Sequence, residues 1–289
     1  MNNIKLHNGL DIPNIGFGVF RVKEGEEVES AVISAIHTGY RHIDTAMIYQ
    51  NEEGVGMAIK NCGIPREQLF ITTKLWNLDQ GYESTLKAIE VSLEKLGLDY
   101  VDLYLVHWPT ASVEPNEAGT SYMSLNKRKE TWRGMEDIYK SGKAKAIGVS
   151  NYTIGHLEEM KTYATVLPMV NQIEFHPFLY QKDLLDYCNQ NKIVVEAHSP
   201  LAPSVDPKSV GHENPNIEEI AKKHGKTKTQ ILIRWAIEHG VIPLPKSVHI
   251  ERIKENLNVF DFSLDVEDMN LLDSMNINLH VRRDPSVLD

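Results

Sequence analysis

The chain has 289 residues, 42% of them hydrophobic and 24% charged, a length and balance that suit one large globular domain or two small ones. A formal net charge of -10 argues against a surface for nucleic acid or anionic membrane, while leaving room for a local basic pocket that takes a phosphate. The opening "MNNIKLHNGL" lacks the apolar stretch of a secretory leader, no window approaches the roughly 18 apolar residues of a membrane span, and Cys62 and Cys188 stand in no metal-type spacing, which points to a reducing, cytoplasmic setting.

In chain order, Asn8-Gly9 is a hairpin turn signal, so a short hairpin is expected first, placed to cover a floor. "NIGFGV" (14–19) is the first strand-like run of the main fold. The pattern at 26–38 puts Val28, Val32, Ala35 and Ile36 on one helical face and stops before Gly39. "HIDTA" (42–46) and "LFITTKLW" (69–76) are the next two strands, with no helix assigned between them. A helix over 82–96 carries Leu86, Ile89, Leu93 and Leu96 and ends before Gly97; "VDLYLVHW" (101–108) follows. Helix 127–141 then precedes strand "KAIGVSN" (145–151), helix 153–163 opens on Thr153, and "MVNQIEF" (169–175) is the next strand. Helix 181–191 leads to "IVVEAHS" (193–199), and helices 216–224 and 227–239 meet at Gly225. "VIPLPKS" (241–247) is the eighth strand, followed by helices 249–257 and 265–275.

Regular alternation of strands and helices implies parallel strands covered by helices. Eight units in this length predict a closed (β/α)8 TIM barrel, one domain over 1–289, with an N-terminal β-hairpin and a C-terminal extra helix. The rival is an open doubly wound sheet, but no strand is followed by G-x-G-x-x-G.

In such a barrel the chemistry sits at the C-terminal strand ends. There the sequence places Asp44, Lys74, His107, Ser150, Asn151, Gln172, Glu174, Glu196, His198, Ser199, Lys246 and Ser247, more polar side chains than a rim built for stability alone requires. Asp44, Lys74 and Tyr49 form a coherent trio: a carboxylate keeps the lysine charged, and the ammonium is expected to lower the pKa of a nearby phenol from about 10. Such a phenol is a good proton donor toward a developing alkoxide. His107, next to Trp108, offers a second polar group for a carbonyl oxygen. Lys246 and Ser247 follow the eighth strand, and Arg252 lies in the helix after it. A cation, a hydroxyl and a guanidinium near a helix N-terminus suit a dianionic phosphate.

"GYRHIDTAMIYQNEEGVG" (39–56) and "LPKSVHIERIKE" (244–255) resemble two motifs of the aldo-keto reductases, and "FITTKLW", "LYLVHWP", "IGVSNY" and "MVNQIEFHP" resemble further segments in family order. The resemblance spans roughly residues 4 to 275. It implies a (β/α)8 barrel that uses NADPH/NADP+ without a Rossmann fingerprint and reduces small-molecule aldehydes and ketones, as a monomer. It implies Asp44, Tyr49, Lys74 and His107 as the catalytic set, with Tyr49 protonating the carbonyl oxygen. It assigns Ser150, Asn151 and Gln172 to the nicotinamide carboxamide, His198 to the nicotinamide ring, and Ser199 and Leu201 to the pyrophosphate. Lys246, Ser247 and Arg252 go to the adenosine 2′-phosphate, Glu255 and Asn256 to the adenine. Phe20, Ile48, Trp76 and Trp108 are the expected substrate contacts, with loop 110–126 as a wall.

The sequence departs from the family at His198, where an aromatic Tyr or Trp is usual, and at Phe20, where Trp is common. The tail after about residue 276 is short, which implies an open pocket. Two rival readings remain. Glu174-x-His176 and Glu196-x-His198 each put a carboxylate and an imidazole on one strand face, and with His107 they suggest a metal-dependent barrel hydrolase or isomerase. A non-catalytic NADPH-binding partner protein is the third, opposed by the intact Asp44, Tyr49, Lys74 and His107 set.

Overall fold

The computed structural model describes residues 3–110, 125–202 and 214–287. Strand β1 (Asn3–Lys5) pairs antiparallel with β2 (Asp11–Pro13), Ile4 opposite Ile12, around the Asn8-Gly9 turn. The main sheet then runs β3 (Phe17–Gly18), β4 (His42–Asp44), β5 (Phe70–Leu75), β6 (Leu103–Val106), β7 (Ile147–Ser150), β8 (Val170–Glu174), β9 (Val194–His198) and β10 (Ile242–Pro243). Spatial order equals chain order, and every neighbouring pair is parallel.

The ends of this sheet meet. Gly16 and Gly18 donate their N–H groups to the carbonyls of Pro243 (3.0 Å) and Pro245 (3.1 Å), which closes the barrel. Both seam residues on the first-strand side are glycines because space is short: a Cβ on Gly16 would lie 2.5 Å from Leu244 Cδ2, and one on Gly18 3.2 Å from the Leu244 carbonyl oxygen.

The helices are α1 (Glu26–Thr38), α2 (Glu52–Asn61), α3 (Tyr82–Leu96), α4 (Leu125–Ser141), α5 (Ile154–Met160), α6 (Lys182–Gln190), α7 (Pro215–His224), α8 (Lys228–Glu238), α9 (Ile250–Leu257) and α10 (Val266–Asp273). The large apolar core fills the space between them and the outer face of the strands. A second cluster lies inside the barrel, where Leu6 and Ile12 of the hairpin region pack with Phe70, Leu103, Leu105, Met169, Val170 and Ile242. The hairpin is thus the floor that the Asn8-Gly9 signal suggested, and it leaves the opposite mouth for chemistry.

Sequence pattern alone shows no helix between β4 and β5, yet α2 is there. Gly54 and Gly56 lower its intrinsic helix propensity by about 1 kcal/mol each relative to Ala, which hides it from pattern reading. Tertiary packing explains both: a Cβ on Gly54 would meet Val28 Cγ1 at 2.4 Å, and one on Gly56 the Leu96 carbonyl oxygen at 2.3 Å. The two glycines let α2 lie close against α1 and the end of α3.

Candidate active site

The predicted rim residues converge at the C-terminal mouth. Asp44 ends β4, Lys74 is one residue from the end of β5, His107 follows β6, Ser150 ends β7 and His198 ends β9. Tyr49 closes a single 3-10 turn, Met47–Tyr49, between β4 and α2, with its N–H bonded to the Ala46 carbonyl at 2.9 Å. Asn51 fixes that turn from below: it donates to the carbonyls of Val19 (2.9 Å) and Val22 (3.0 Å) and accepts from Thr45 Oγ1 (2.9 Å). Glu52, part of the family-like motif, serves the fold instead; it accepts from Thr73 Oγ1 at 2.6 Å behind the barrel wall.

Lys74 is wholly buried. Its ammonium lies 2.7 Å from each carboxylate oxygen of Asp44, 2.9 Å from the Thr45 carbonyl and 3.4 Å from Tyr49 Oη. An ammonium has three hydrogens, and the three short contacts claim them, so the longer contact to Tyr49 is mainly electrostatic. Burial works against the Lys74 charge, but Asp44 and then Tyr49 outweigh it and hold its pKa above the ordinary lysine value.

The phenol corrects an expectation. Lys74 does pull the Tyr49 pKa down, but burial pushes it up more strongly and Asp44 adds to that, so the phenol ends above its ordinary value. Tyr49 is therefore a firmly protonated donor at neutral pH. His107 is held well below the usual histidine range, by burial first and then by the charge of Lys74 and by His198. Its ring meets those of Tyr49 and Trp76 edge-on at 5.7 and 5.3 Å. Among the described residues its buried Nδ1 has no hydrogen-bond partner, so a neutral imidazole with a hydrogen bond left to make stands beside the phenol.

His198 is neutral too, held down to about 4 by burial first, with the charges of Lys74 and Arg282 adding to the effect and Glu174 opposing it. Its Nε2 meets Asn151 Oδ1 at 2.9 Å and its Nδ1 meets Ser199 Oγ at 3.3 Å. Asn151 and Ser199 hold left-handed backbone at φ 63° and 52°, a conformation uncommon outside glycine and frequent at sites where geometry is imposed. The other amide groups are engaged within the barrel. Ser150 Oγ donates to the Gln172 carbonyl (2.8 Å), and Asn151 Nδ2 to the His107 carbonyl (2.9 Å) and Ser150 Oγ (3.1 Å). Gln172 Nε2 donates to Asp44 Oδ2 (2.9 Å) and Glu196 Oε2 (2.8 Å), which leaves its side-chain oxygen for anything above.

Apolar walls flank the trio. Phe20 packs at 4.9 Å from the Tyr49 ring, Phe20 and Ile48 are exposed, and Trp76 and Trp108 are half-buried. The expected loop wall falls mostly on residues 111–124, outside the described residues. At the other side of the mouth, Lys246 and Arg252 are exposed, and among the described residues neither has an ion-pair partner. Ser247 is buried between them, half-buried Leu201 lies beyond β9, and Asn256 is buried on α9. Glu255 accepts from Thr227 Oγ1 at 2.8 Å. Two uncompensated cations and a hydroxyl at the start of α9 fit a phosphate of a dinucleotide.

The carboxylates behind the metal alternative have other partners. Glu174 accepts the backbone N–H groups of Val281 (2.8 Å) and Arg282 (3.0 Å) and contacts His176 Nε2 at 3.1 Å. Among the described residues no three His, Cys, Asp or Glu side chains form a group that could hold a metal ion.

Glu196 plays a part that the strand pattern did not reveal. It sits wholly buried beneath Asp44, bridged to it by Gln172; among the described residues its Oε1 takes no hydrogen bond and has only His42 Nε2 near it, at 3.7 Å. Burial, then the charge of Asp44, pushes its pKa from 4.5 up to about 8. Between those values the folded protein holds a proton that the unfolded chain lacks. Stability present below pH 4.5 is thus lost progressively as pH rises to about 8. Glu196→Gln removes the titration, so its melting temperature should gain on the parent's as pH rises from 5 to 8, a relative stabilisation of about 1.4 kcal/mol for every pH unit climbed. A melting difference flat across that range would refute the assignment.

With this geometry in view, the relatives are informative. The aldo/keto reductase family model matches residues 14–277. Glyoxal reductase of Bacillus subtilis (strain 168) is 49% identical over 287 residues, covering 99% of this chain and 97% of its own. The crystal structure of MGS-M4, an aldo-keto reductase enzyme from a Medee basin deep-sea metagenome library, superposes with a TM-score of 0.89 at 46% identity over 97% of each chain. That of the Bombyx mori aldo-keto reductase in complex with NADP gives a TM-score of 0.88 at 36% identity, covering 98% of this chain and 95% of that one. Match to the family model across the barrel and near-complete coverage by these relatives agree with the rim built above: the chain is an oxidoreductase of the aldo/keto reductase family.

Proposed function

We propose that the protein reduces aldehydes and ketones to alcohols with NADPH, as a one-domain cytoplasmic monomer. The observation that carries the reading is the buried Lys74–Asp44 pair set 3.4 Å beneath Tyr49 Oη at the barrel mouth. When bound, the dinucleotide supplies the hydride. Tyr49 gives its phenolic proton to the carbonyl oxygen as negative charge grows there, and the Lys74 ammonium stabilises the phenolate left behind. Asp44 keeps that ammonium charged. Neutral His107 holds the substrate oxygen by a hydrogen bond, and Phe20, Ile48, Trp76 and Trp108 keep water from it.

Ser150, Asn151 and the free side-chain oxygen of Gln172 would orient the carboxamide. His198 would lie against the ring, and its neutrality favours that role because an imidazolium would repel an oxidised, cationic nicotinamide. Ser199 and Leu201 would border the pyrophosphate, Lys246, Ser247 and Arg252 would hold the 2′-phosphate, and Glu255 and Asn256 the adenine. The Bombyx mori complex with NADP and the glyoxal reductase relative support this cofactor and substrate class.

The direct test is loss of NADPH absorbance with a panel of aldehydes and α-dicarbonyls, glyoxal among them; no turnover of any of them would refute the reading. For cofactor choice, the double variant Lys246→Ala, Arg252→Ala should weaken NADPH binding about 10- to 100-fold and leave NADH binding nearly unchanged, measured by quenching of tryptophan fluorescence. Equal losses for both cofactors would remove the 2′-phosphate role.

A further inference from the structure

The C-terminal tail bears on which carbonyl compounds the site takes. After α10 the chain turns back over the mouth, with the Ile277 and Leu279 N–H groups donating to the Phe178 carbonyl at 3.2 and 3.0 Å. Glu174 then fixes the backbone at Val281 and Arg282, one carboxylate oxygen for each N–H. This clamp starts from a buried strand-end carboxylate, so the position of residue 282 is set by the barrel itself.

From there the Arg282 guanidinium reaches the Phe20 ring, its central carbon 4.9 Å from the ring centroid. Phe20 is in turn 4.9 Å from the Tyr49 ring, so the cation stands no more than two such spans from the phenol. Arg21 approaches the same ring at 5.2 Å. Among the described residues neither guanidinium has a carboxylate within ion-pairing distance. Burial governs the pKa of both Tyr49 and His198, but the charge of Arg282 bears on each, opposing the rise of the phenol and adding to the fall of the imidazole, which sets it over the mouth rather than out along the surface.

A guanidinium packed on an aromatic ring keeps its edge N–H groups available, and that edge matches a carboxylate in two parallel hydrogen bonds. In a chain of net charge -10, two uncompensated arginines at the site mouth are a local exception. We propose that Arg282, with Arg21 beside it, forms an anion subsite that selects carbonyl substrates bearing a carboxylate a few bonds from the reacting carbon. This rests on the reading of Tyr49 as the proton donor of a carbonyl reductase.

The test compares 4-carboxybenzaldehyde with its neutral methyl ester, methyl 4-formylbenzoate, in the parent, Arg282→Gln, Arg282→Lys and Arg21→Gln. Arg282→Gln should raise KM for the acid about tenfold with kcat little changed, and leave both constants for the ester as they were. Arg282→Lys should retain part of the preference, Arg21→Gln should lose a smaller share, and added salt should erode the preference in the parent. NADPH affinity should be the same in the parent and Arg282→Gln; a fall in it with an unchanged acid-to-ester ratio would assign the cation to the cofactor and overturn the subsite. Equal losses for acid and ester, or no change for either, would overturn it as well. If the parent turns over neither compound, the aldehyde and α-dicarbonyl panel decides the reductase reading by itself. Fluorescence titration with 4-carboxybenzaldehyde then decides the subsite: weaker binding by Arg282→Gln upholds it, and equal binding removes it.

Discussion

Tyr49→Phe should lower kcat for carbonyl reduction by about 100- to 10,000-fold, the range that a positioned proton donor contributes. The fold should survive, because among the described residues Tyr49 Oη makes one long contact, 3.4 Å to an ammonium whose three hydrogens are claimed elsewhere. The ring would still pack on Phe20 and His107. NADPH affinity should stay within a factor of a few, since the hydroxyl is assigned to the substrate. Stopped-time assays of NADPH consumption, with fluorescence titration of the cofactor, check both halves. A variant that retains most of its rate would transfer the proton donor's role to another group, and His107 is the neighbour to examine.

The second large effect belongs to the ion pair. Asp44→Asn leaves the Lys74 ammonium wholly buried without its ion-pair partner, and breaking a buried pair from one side typically costs about 3–5 kcal/mol. Urea unfolding at neutral pH should show that loss. In the variant the Lys74 pKa falls below its unfolded value, so the folded state binds fewer protons than the unfolded one and stability rises with pH. The deficit should therefore shrink as pH is raised toward 10. A deficit that does not vary with pH would mean that shape, not charge, is what Asp44 contributes. Activity should fall too, because a neutral amine no longer stabilises a phenolate.

Most of this could be read from one-dimensional pattern. Strand-end polarity placed Asp44, Lys74, His107, Asn151 and His198 on one rim because parallel strands of a barrel all deliver their C-terminal ends to the same mouth. Helix α3 matched its expected 82–96 span because its apolar stripe and its terminal Gly97 agree. Helix α2 was hidden because its glycines answer to neighbours far along the chain, Val28 and Leu96, which propensity does not contain. The sign of the Tyr49 shift was hidden for a related reason: spacing shows that a lysine is near, but burial, which dominates, is a property of the assembled mouth. Glu196 was visible as a charge in an apolar run, but its proton depends first on burial inside the assembled barrel and then on the proximity of Asp44. Arg282 lies in a tail without periodicity, and only the Glu174 clamp gives it a place.

The seam between Gly16–Gly18 and Pro243–Pro245 has a consequence for biogenesis. The two edges that complete the cylinder come from opposite ends of the polypeptide. A nascent chain emerging from the ribosome can assemble local strand–helix pairs early, but it must keep its first edge unzipped until nearly all of the rest has been synthesised. During that interval the waiting edge is a surface that a chaperone would have to shield and that a stalled translation product would expose.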